Sequence, residues 1–477
     1  MSYRGRDKEI ELPIHNKKET VNAHNIDHAR KRCTRKAILW RYLTFLFSLW
    51  LCVIQYYERS VIKRTMKRCA WEKWEQWPEV TNLHRVALLA DPQIMDAYSY
   101  PGRPWIVNYF TQKILDNYHN RNWRYMQYYL DPDSTFFLGD LFDGGREWDD
   151  DQWFDEYKRF HKIFPKKPNR LTVMSLPGNH DIGFGDNVVE NSYKRFETYF
   201  GDTSSSWNVG NHTFVLLDTI ALSDSVNSEV SSKPRTFLNN FEHTEHSYPR
   251  ILLTHVPLWR NPDLQKCGKE RESTKPFPIM VGTQYQTVIN NVISEEVLTT
   301  IKPDLIFSGD DHDYCSISHS YTVNGVKKSA NEITVKSCAM NMGISRPAIQ
   351  LLSLHNPPSS SNSETYNTNI CYLPDPFKPL KMYGILTVFT VGSLLWMCFY
   401  PKSFNRVIAR RLPSKTTVDP ALLPVSTKKF DTYSQKDRKA NTYIIQVTPG
   451  LRGFLVNGGS LLLAIFMMFI YYYRQFQ

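Results

Sequence analysis

Five short apolar runs in this chain stop abruptly at residues able to hold a metal ion. The run ending at Ala90 leads into Asp91, Pro92 and Gln93, and the run ending at Leu138 into Gly139, Asp140 and, three residues on, Asp143. Residues 171–176 lead into Pro177, Gly178, Asn179, His180 and Asp181; 251–254 into His255; and 304–308 into Gly309, Asp310, Asp311, His312 and Asp313. Singly, each has an ordinary explanation. An Asp after a strand caps a helix or opens a turn, and a lone half-buried His is usually a hydrogen-bonded one. Repeated at five strand ends, carboxylate, imidazole and amide oxygen point to a metal site, since these are the donors divalent cations take.

Such a site suits phosphodiester hydrolysis, which needs a nucleophile, neutralisation of the phosphate oxygens and help for the leaving alkoxide. Two divalent ions about 3.5–4 Å apart supply the first two. With Asp91, Asp140 and Asp310 ionised, two dications leave a net charge of about +1, or near zero with hydroxide, so an anionic ester is admitted. His180 is the candidate general acid or transition-state donor.

The runs that carry these residues predict strands over 85–90, 135–138, 171–176, 213–217, 251–254 and 304–308. Between them lie candidate helices over 105–118, 151–164 and 193–200. That alternation predicts an α/β sandwich. It places the ligands at the edge where open α/β sheets bind. There is no internal repeat and no Gly-rich phosphate loop.

The order and spacing resemble the calcineurin-like metallophosphoesterase superfamily, whose pattern is D-x-H, G-D-x-x-D, G-N-H-[DE], a later H, and G-H-x-H. The resemblance covers about residues 83–353 and is most specific at 139–143 and 178–181. It implies a four-layer α-β-β-α sandwich and two metals. One would be held by Asp91, Asp140 and His312, with Gln93 a further candidate; the other by Asp140, Asn179, His255 and Asp310. His180 would face the leaving group, and Asp143 and Asp181 would ligate or lie just outside. Gln93 and Asp310 depart from the pattern, each standing where a His is usual. These departures, with residues 90–94, 308–315 and 342–353, are similar to one branch: endoplasmic-reticulum enzymes that remodel GPI anchors by removing ethanolamine phosphate from a mannose. An amide and a carboxylate in place of two imidazoles make the donor set oxygen-rich, which favours Mn²⁺ over Zn²⁺. They also leave Gln93 open between ligand and hydrogen-bonding partner. Asp311 and Asp313 are expected outside the ligand set. Arg103, Arg146 and Arg346 are candidates to steer phosphate, and His84, His119 and His319 are expected to be structural.

The net charge of +11 could suggest nucleic acid, but the basic residues cluster beside apolar segments instead. Residues 382–400 and 454–473 are uncharged runs of membrane-spanning length, each ending in Tyr. Residues 42–57 reach that length only if 37–41 are included, with Arg41 snorkelling. Between the two C-terminal runs, 401–452 holds eleven Lys or Arg against three Asp, the sign of a cytoplasmic loop. The expected organisation is therefore a disordered basic cytosolic tail (1–36), a span (37–57), a juxtamembrane segment (58–78), a luminal phosphoesterase domain (79–354) and a linker (355–381). A span (382–400), a basic cytosolic loop (401–453) and a last span (454–473) complete it. Trp71, Trp74 and Trp77 share one helical face in the juxtamembrane segment. The sequon at Asn211 would be used only in a lumen. Eight cysteines show no zinc-module spacing, and five of them, Cys69, Cys267, Cys315, Cys338 and Cys371, could pair in an oxidising compartment.

The sequence thus predicts a multi-pass endoplasmic-reticulum phosphodiesterase with two divalent ions. Its substrate would be GPI lipid or GPI-anchored protein, with the cargo-export machinery as a candidate partner and no nucleic acid. The alternatives are action on another membrane phosphoester, or a catalytically weak scaffold or cargo receptor.

Overall fold

The computed structural model describes residues 40–77, 82–356, 364–409 and 448–474. The expected tail over 1–36 and most of the basic loop over 401–453 lie outside the described residues. The chain divides into two compact units, Met1–Trp50 with Ile385–Met467, and Leu51–Gly384 with Met468–Gln477.

Helix α1 (Trp40–Gln55) continues through a π-helical turn (Tyr56–Ser60) into α2 (Val61–Arg68). Then follow β1 (His84–Leu89), α3 (Trp105–Tyr129), β2 (Ser134–Phe137), α4 (Asp150–Ile163), β3 (Leu171–Val173), α5 (Asn179–Ile182) and α6 (Glu190–Phe200). The second half holds β4 (Ser205–Val209), β5 (His212–Leu216), α7 (Thr219–Leu222), α8 (Ser228–Glu242), β6 (Arg250–Leu253), α9 (Asn291–Ile301), β7 (Leu305–Ser308), β8 (Cys315–Val323) and β9 (Val326–Thr334). Strands β10 (Ala348–Leu354) and β11 (Tyr366–Tyr372) precede α10 (Phe377–Phe399), α11 (Pro401–Ala409) and α12 (Gly450–Arg474).

The described residues form two sheets, in the orders β11-β10-β1-β2-β3 and β4-β5-β6-β7-β9-β8. Within them β1, β2 and β3 are parallel, as are β5, β6, β7 and β9. Val86, Leu88 and Phe136 of one sheet share a core with Phe214, Ile251 and Leu253 of the other. The Phe136 and Phe214 rings stack at 4.8 Å. The alternate residues Ala87, Leu89 and Phe137 pack outward with Trp123 and Phe160 of the helices. Each central strand is thus covered on both faces, so it reads as a continuous apolar run, and burying each large side chain is worth about 1.5–3 kcal/mol. The four-layer α/β sandwich stands as expected.

Several elements differ from expectation, for physical reasons. Helix α3 runs on to Tyr129 rather than Tyr118. Its polar second half is held by partners distant in sequence: Asn117 and Arg121 meet Glu58, and Asn120 donates to the Lys162 and Ile163 carbonyls. The three-Trp segment makes one 3-10 turn (Trp71–Lys73) instead of a longer helix. Pro78 follows Trp77 and disfavours helical backbone there; Trp71 is buried with its indole N–H on the Leu130 carbonyl, while Trp77 donates to Ser353. Strand β3 pairs only through Val173, because the chain then turns toward Pro177.

The hairpin β8–β9, absent from the strands the sequence predicts, turns at Asn324-Gly325, both at positive φ. Strand β11 falls inside the stretch expected as linker over 355–381. It is a half-exposed edge strand rich in Asn and Thr, so no apolar run marks it.

In the first unit, Leu46, Leu394, Met397 and Leu461 share a small core, and the Trp50 indole N–H donates to Thr390. Helices α10 and α12 are long and apolar enough to cross a membrane. Helix α1 covers 16 described residues, below that length.

Among the described residues two disulfides form, Cys69–Cys371 and Cys267–Cys315. The first closes 302 residues of chain and ties the segment after α2 to the edge strand β11. Replacing Cys69 and Cys371 by Ala should cost about 3–5 kcal/mol, chiefly by freeing the unfolded chain. A lower unfolding midpoint for the solubilised, oxidised variant than for the oxidised wild type is the expected readout, with the reduced wild type at least as low because reduction also opens Cys267–Cys315.

Candidate metal centre

The parallel strands bring their carboxyl ends to one edge, and there Asp91, Asp140 and His255 place ligand atoms within 4.8 Å of one another. His255 Nε2 lies 3.4 Å from Asp140 Oδ1 and 3.7 Å from Asp310 Oδ1. Its Nδ1–H donates to the Leu138 carbonyl at 2.6 Å, which leaves the Nε2 lone pair directed at the carboxylates. Asn179 donates its amide N–H to the Gln284 carbonyl and Gln93 donates to Asp143, so each presents its amide oxygen instead. Asp91 Oδ2, Gln93 Oε1, Asn179 Oδ1 and His255 Nε2 are all buried without a hydrogen-bond partner among the described residues. Four orphaned lone-pair atoms around three carboxylates fit a divalent cation, because an unmatched buried acceptor is otherwise costly.

The electrostatics agree. Burial, and next the Asp140 charge, push both Asp91 and Asp310 well above the usual carboxylate range. Burial opposes ionisation of Asp140 too, yet the His255 and His180 imidazoles hold it below its ordinary value. Burial, outweighing the Asp140 charge that acts against it, keeps His312 down at about 4, hence neutral and able to ligate.

The backbone is bent to aim these side chains. Asp91, Gln93, Asp140, Asp310 and His312 all have φ between 36° and 65°. This left-handed region costs a non-glycine residue roughly 1–2 kcal/mol. Bonds between loops hold the strain. Gln93 N–H donates to the Asp140 carbonyl, Asp310 N–H to the Asp91 carboxylate, and Gly309 N–H to the His255 carbonyl. Asp181 is a clamp with both oxygens occupied, accepting from the N–H groups of Leu141, Phe142 and Gly178. Gly178 is required by space: a Cβ there would sit 2.0 Å from Asp140 Oδ1.

Toward solvent stand His180 and Asp143, whose side chains are 30% and 22% exposed. His180 Nδ1 donates to the Asp143 carbonyl, and its own N–H donates to Asp140.

The calcineurin-like phosphoesterase family matches residues 84–314. Cell division control protein 1 of Saccharomyces cerevisiae is 55% identical over 489 residues, with 99% of each chain covered. Metallophosphoesterase 1 of Xenopus laevis is 26% identical over 412 residues, covering 77% of this chain and 93% of the relative. A metallophosphoesterase 1 homolog of Drosophila melanogaster is 23% identical, covering 78% and 98%. This chain belongs to the calcineurin-like phosphoesterases. It is a metal-dependent phosphoesterase.

Around the centre of this phosphoesterase the remaining residues singled out in the sequence find partners of their own. Asp311 pairs with Arg271, and Asp313 accepts from Lys336 and from the Glu272 and Ser273 N–H groups. Both thereby anchor the 259–290 excursion, which the Cys267–Cys315 disulfide also ties down. Arg146 donates to the Asn179 carbonyl at the rim. Arg103 stacks on Tyr100 and Arg346 on Tyr372 instead. His84 bonds Ser134, and His119 is buried. Asn211 sits in the β4–β5 turn with its amide nitrogen, the atom a glycan would occupy, donating to the Asn356 carbonyl.

Glu332 on β9 carries a role no motif marks. Oε1 accepts from Ser308 at 2.6 Å and from the Leu258 N–H at 3.2 Å, and pairs with Arg260 at 2.7 Å; Oε2 accepts from His319 at 2.6 Å. One carboxylate therefore joins the loop of His255 to the strand end before Asp310.

Gly178→Ala should displace the Asp140 carboxylate and lower divalent-metal affinity at least about tenfold with the fold retained, measured by metal titration beside circular dichroism. Burial opposes ionisation of Glu332, but Arg260, His319 and Ser308 outweigh it and hold the carboxyl at about 2 against an ordinary 4.5. A depressed pKa stabilises the fold above the unfolded value, by about 3 kcal/mol here, and the contribution is lost as pH falls toward 2. Denaturation of wild type and Glu332→Gln should therefore differ most above about pH 5 and converge toward pH 2.

Proposed function

We propose that this phosphoesterase removes an ethanolamine-phosphate side branch from a mannose of the GPI glycan, in the lumen of the endoplasmic reticulum, in support of GPI-protein export. The observation that carries this reading is the pair of departures at Gln93 and Asp310. Gln93 offers a buried, unpartnered amide oxygen and Asp310 a carboxylate beside His255 Nε2, where the superfamily pattern has histidines. The departures match the GPI-remodelling branch, and the oxygen-rich set suits Mn²⁺. Two disulfides support an oxidising lumen for the domain. The candidate membrane helices α10 and α12 support a membrane-borne substrate.

In this reading Asp91, Asp140, Asn179, His255, Asp310 and His312, with Gln93, hold two divalent ions. When bound, two divalent ions would supply neutralisation of the phosphate oxygens and a water of lowered pKa. Asp140 stands between the two sets of donors. Gly309 and Gly178 keep the floor of the site open, since a Cβ at either would meet the Asp91 or Asp140 carboxylate. His180, oriented by the Asp143 carbonyl through Nδ1–H, has Nε2 left for the leaving oxygen; as the imidazolium it would give the Nε2 proton to the sugar alkoxide as the P–O bond breaks, and be left as the neutral imidazole.

Hydrolysis of a chromogenic phosphodiester should depend on Mn²⁺ and fall on the order of 10³-fold in Asp140→Ala, with a smaller loss, on the order of 10²-fold, in His180→Ala. GPI glycans from cells lacking the protein should carry one extra ethanolamine phosphate by mass spectrometry. An unaltered glycan profile would remove the substrate while leaving the hydrolase.

A further inference from the structure

The first turns of α3 carry an exposed apolar face that the catalytic reading does not use. Trp105 is 78% exposed, and Ile106, Val107, Tyr109 and Phe110 are each about half exposed. Such a contiguous patch is unusual on a water-facing surface and marks a contact with a partner or a membrane. The face is built rather than loose. Asn108, buried between these residues, donates to the Ala97 and Tyr100 carbonyls, and Gln112 donates to the Met95 carbonyl. That loop is the continuation of Asp91 and Gln93, so the patch is fastened to the metal edge.

Two chain directions within the second unit say what the face meets. Helix α3 connects the parallel strands β1 and β2, so it runs against them and its N-terminus lies at their carboxyl edge, beside the metal centre. It also runs parallel to the helix before it: Glu58 meets Asn117 and Arg121, Lys63 lies over Tyr129, and Trp71 reaches Leu130. Going back along that helix from Glu58 toward Leu51 is therefore the direction of Trp105. Two other segments meet that helix between Gln55 and Glu58, since Tyr383 bonds Glu58 and Tyr472 bonds Gln55. These three segments are the points from which α1, α10 and α12 leave the unit, and α10 and α12 are the candidate membrane spans.

We propose that the Trp105–Phe110 end of α3 dips into the interfacial layer of the same bilayer the spans enter, so that the metal edge opens toward lipid. The chemistry fits. Trp and Tyr favour the interface, and Arg103 and Lys113, stacked on Tyr100 and Tyr109, provide cations for the phosphate layer. The proposal rests on the membrane part of the function above and adds a site for it. A lipid-borne phosphodiester would reach the ions without leaving the membrane.

Hydroxyl-radical footprinting of the full chain in phosphatidylcholine and phosphatidylserine liposomes tests this, with each residue's rate referred to the unfolded chain. Tyr128, at the far end of the same helix, is 77% exposed and serves as the internal control. Trp105 should be protected on the order of tenfold and Tyr128 hardly at all, as for an interfacial helix; equal reactivity of the two would overturn the proposal. Ile106→Asp with Phe110→Asp should cut hydrolysis of a liposome-borne phosphodiester on the order of tenfold and leave a soluble chromogenic one unchanged. An equal effect on both would also overturn it. Protection of Trp105 in a chain that hydrolyses neither ester would uphold the surface and count against the hydrolase reading instead.

Discussion

Three carboxylates confined to one dry volume repel one another, and the architecture answers that repulsion. Asp91, Asp140 and Asp310 come from strand ends far apart in sequence, and with His255 they lie within a few ångströms. Left alone they would be protonated or pushed apart. Backbone bonds from loop to loop, Asp181 beneath one pair of loops and Glu332 beneath another, hold them close enough for divalent cations to balance their charge. Left-handed backbone at five of the site residues is the strain that this convergence stores.

The division of labour among acidic residues follows from what each oxygen touches. Asp181 spends both oxygens on backbone N–H groups, and burial with the Asp140 charge lifts it to about 7. It therefore shapes the loops. Asp311 and Asp313 are occupied by Arg271 and Lys336 and fasten the excursion whose Gln284 carbonyl orients Asn179. Asp91, by contrast, keeps an oxygen that nothing among the described residues satisfies. Adjacent acids in one motif thus differ in role because one has partners and its neighbour does not.

Much of the sandwich was legible because its central strands are covered on both faces and stop sharply at polar residues. The elements that escaped are those whose reasons lie elsewhere in the chain. The polar half of α3 is stabilised by Glu58 and by carbonyls of α4, and the Asn- and Thr-rich β11 by pairing with β10. Neither leaves a local periodic signal, since hydrogen bonds to distant partners replace apolar contacts.

By itself the sequence determined the identities and order of the candidate ligand residues at the strand ends, because strand periodicity and turn chemistry are local properties written in neighbouring side chains. It also determined the apolar helices and the basic stretches that flank them. Only the tertiary structure decided which lone pairs remain free, which cysteines pair, that Glu332 couples two loops, and that α3 runs alongside the helix leading out of the domain. Those are relations between residues tens to hundreds of positions apart, and distance in space enters a chain's energy only once it has folded.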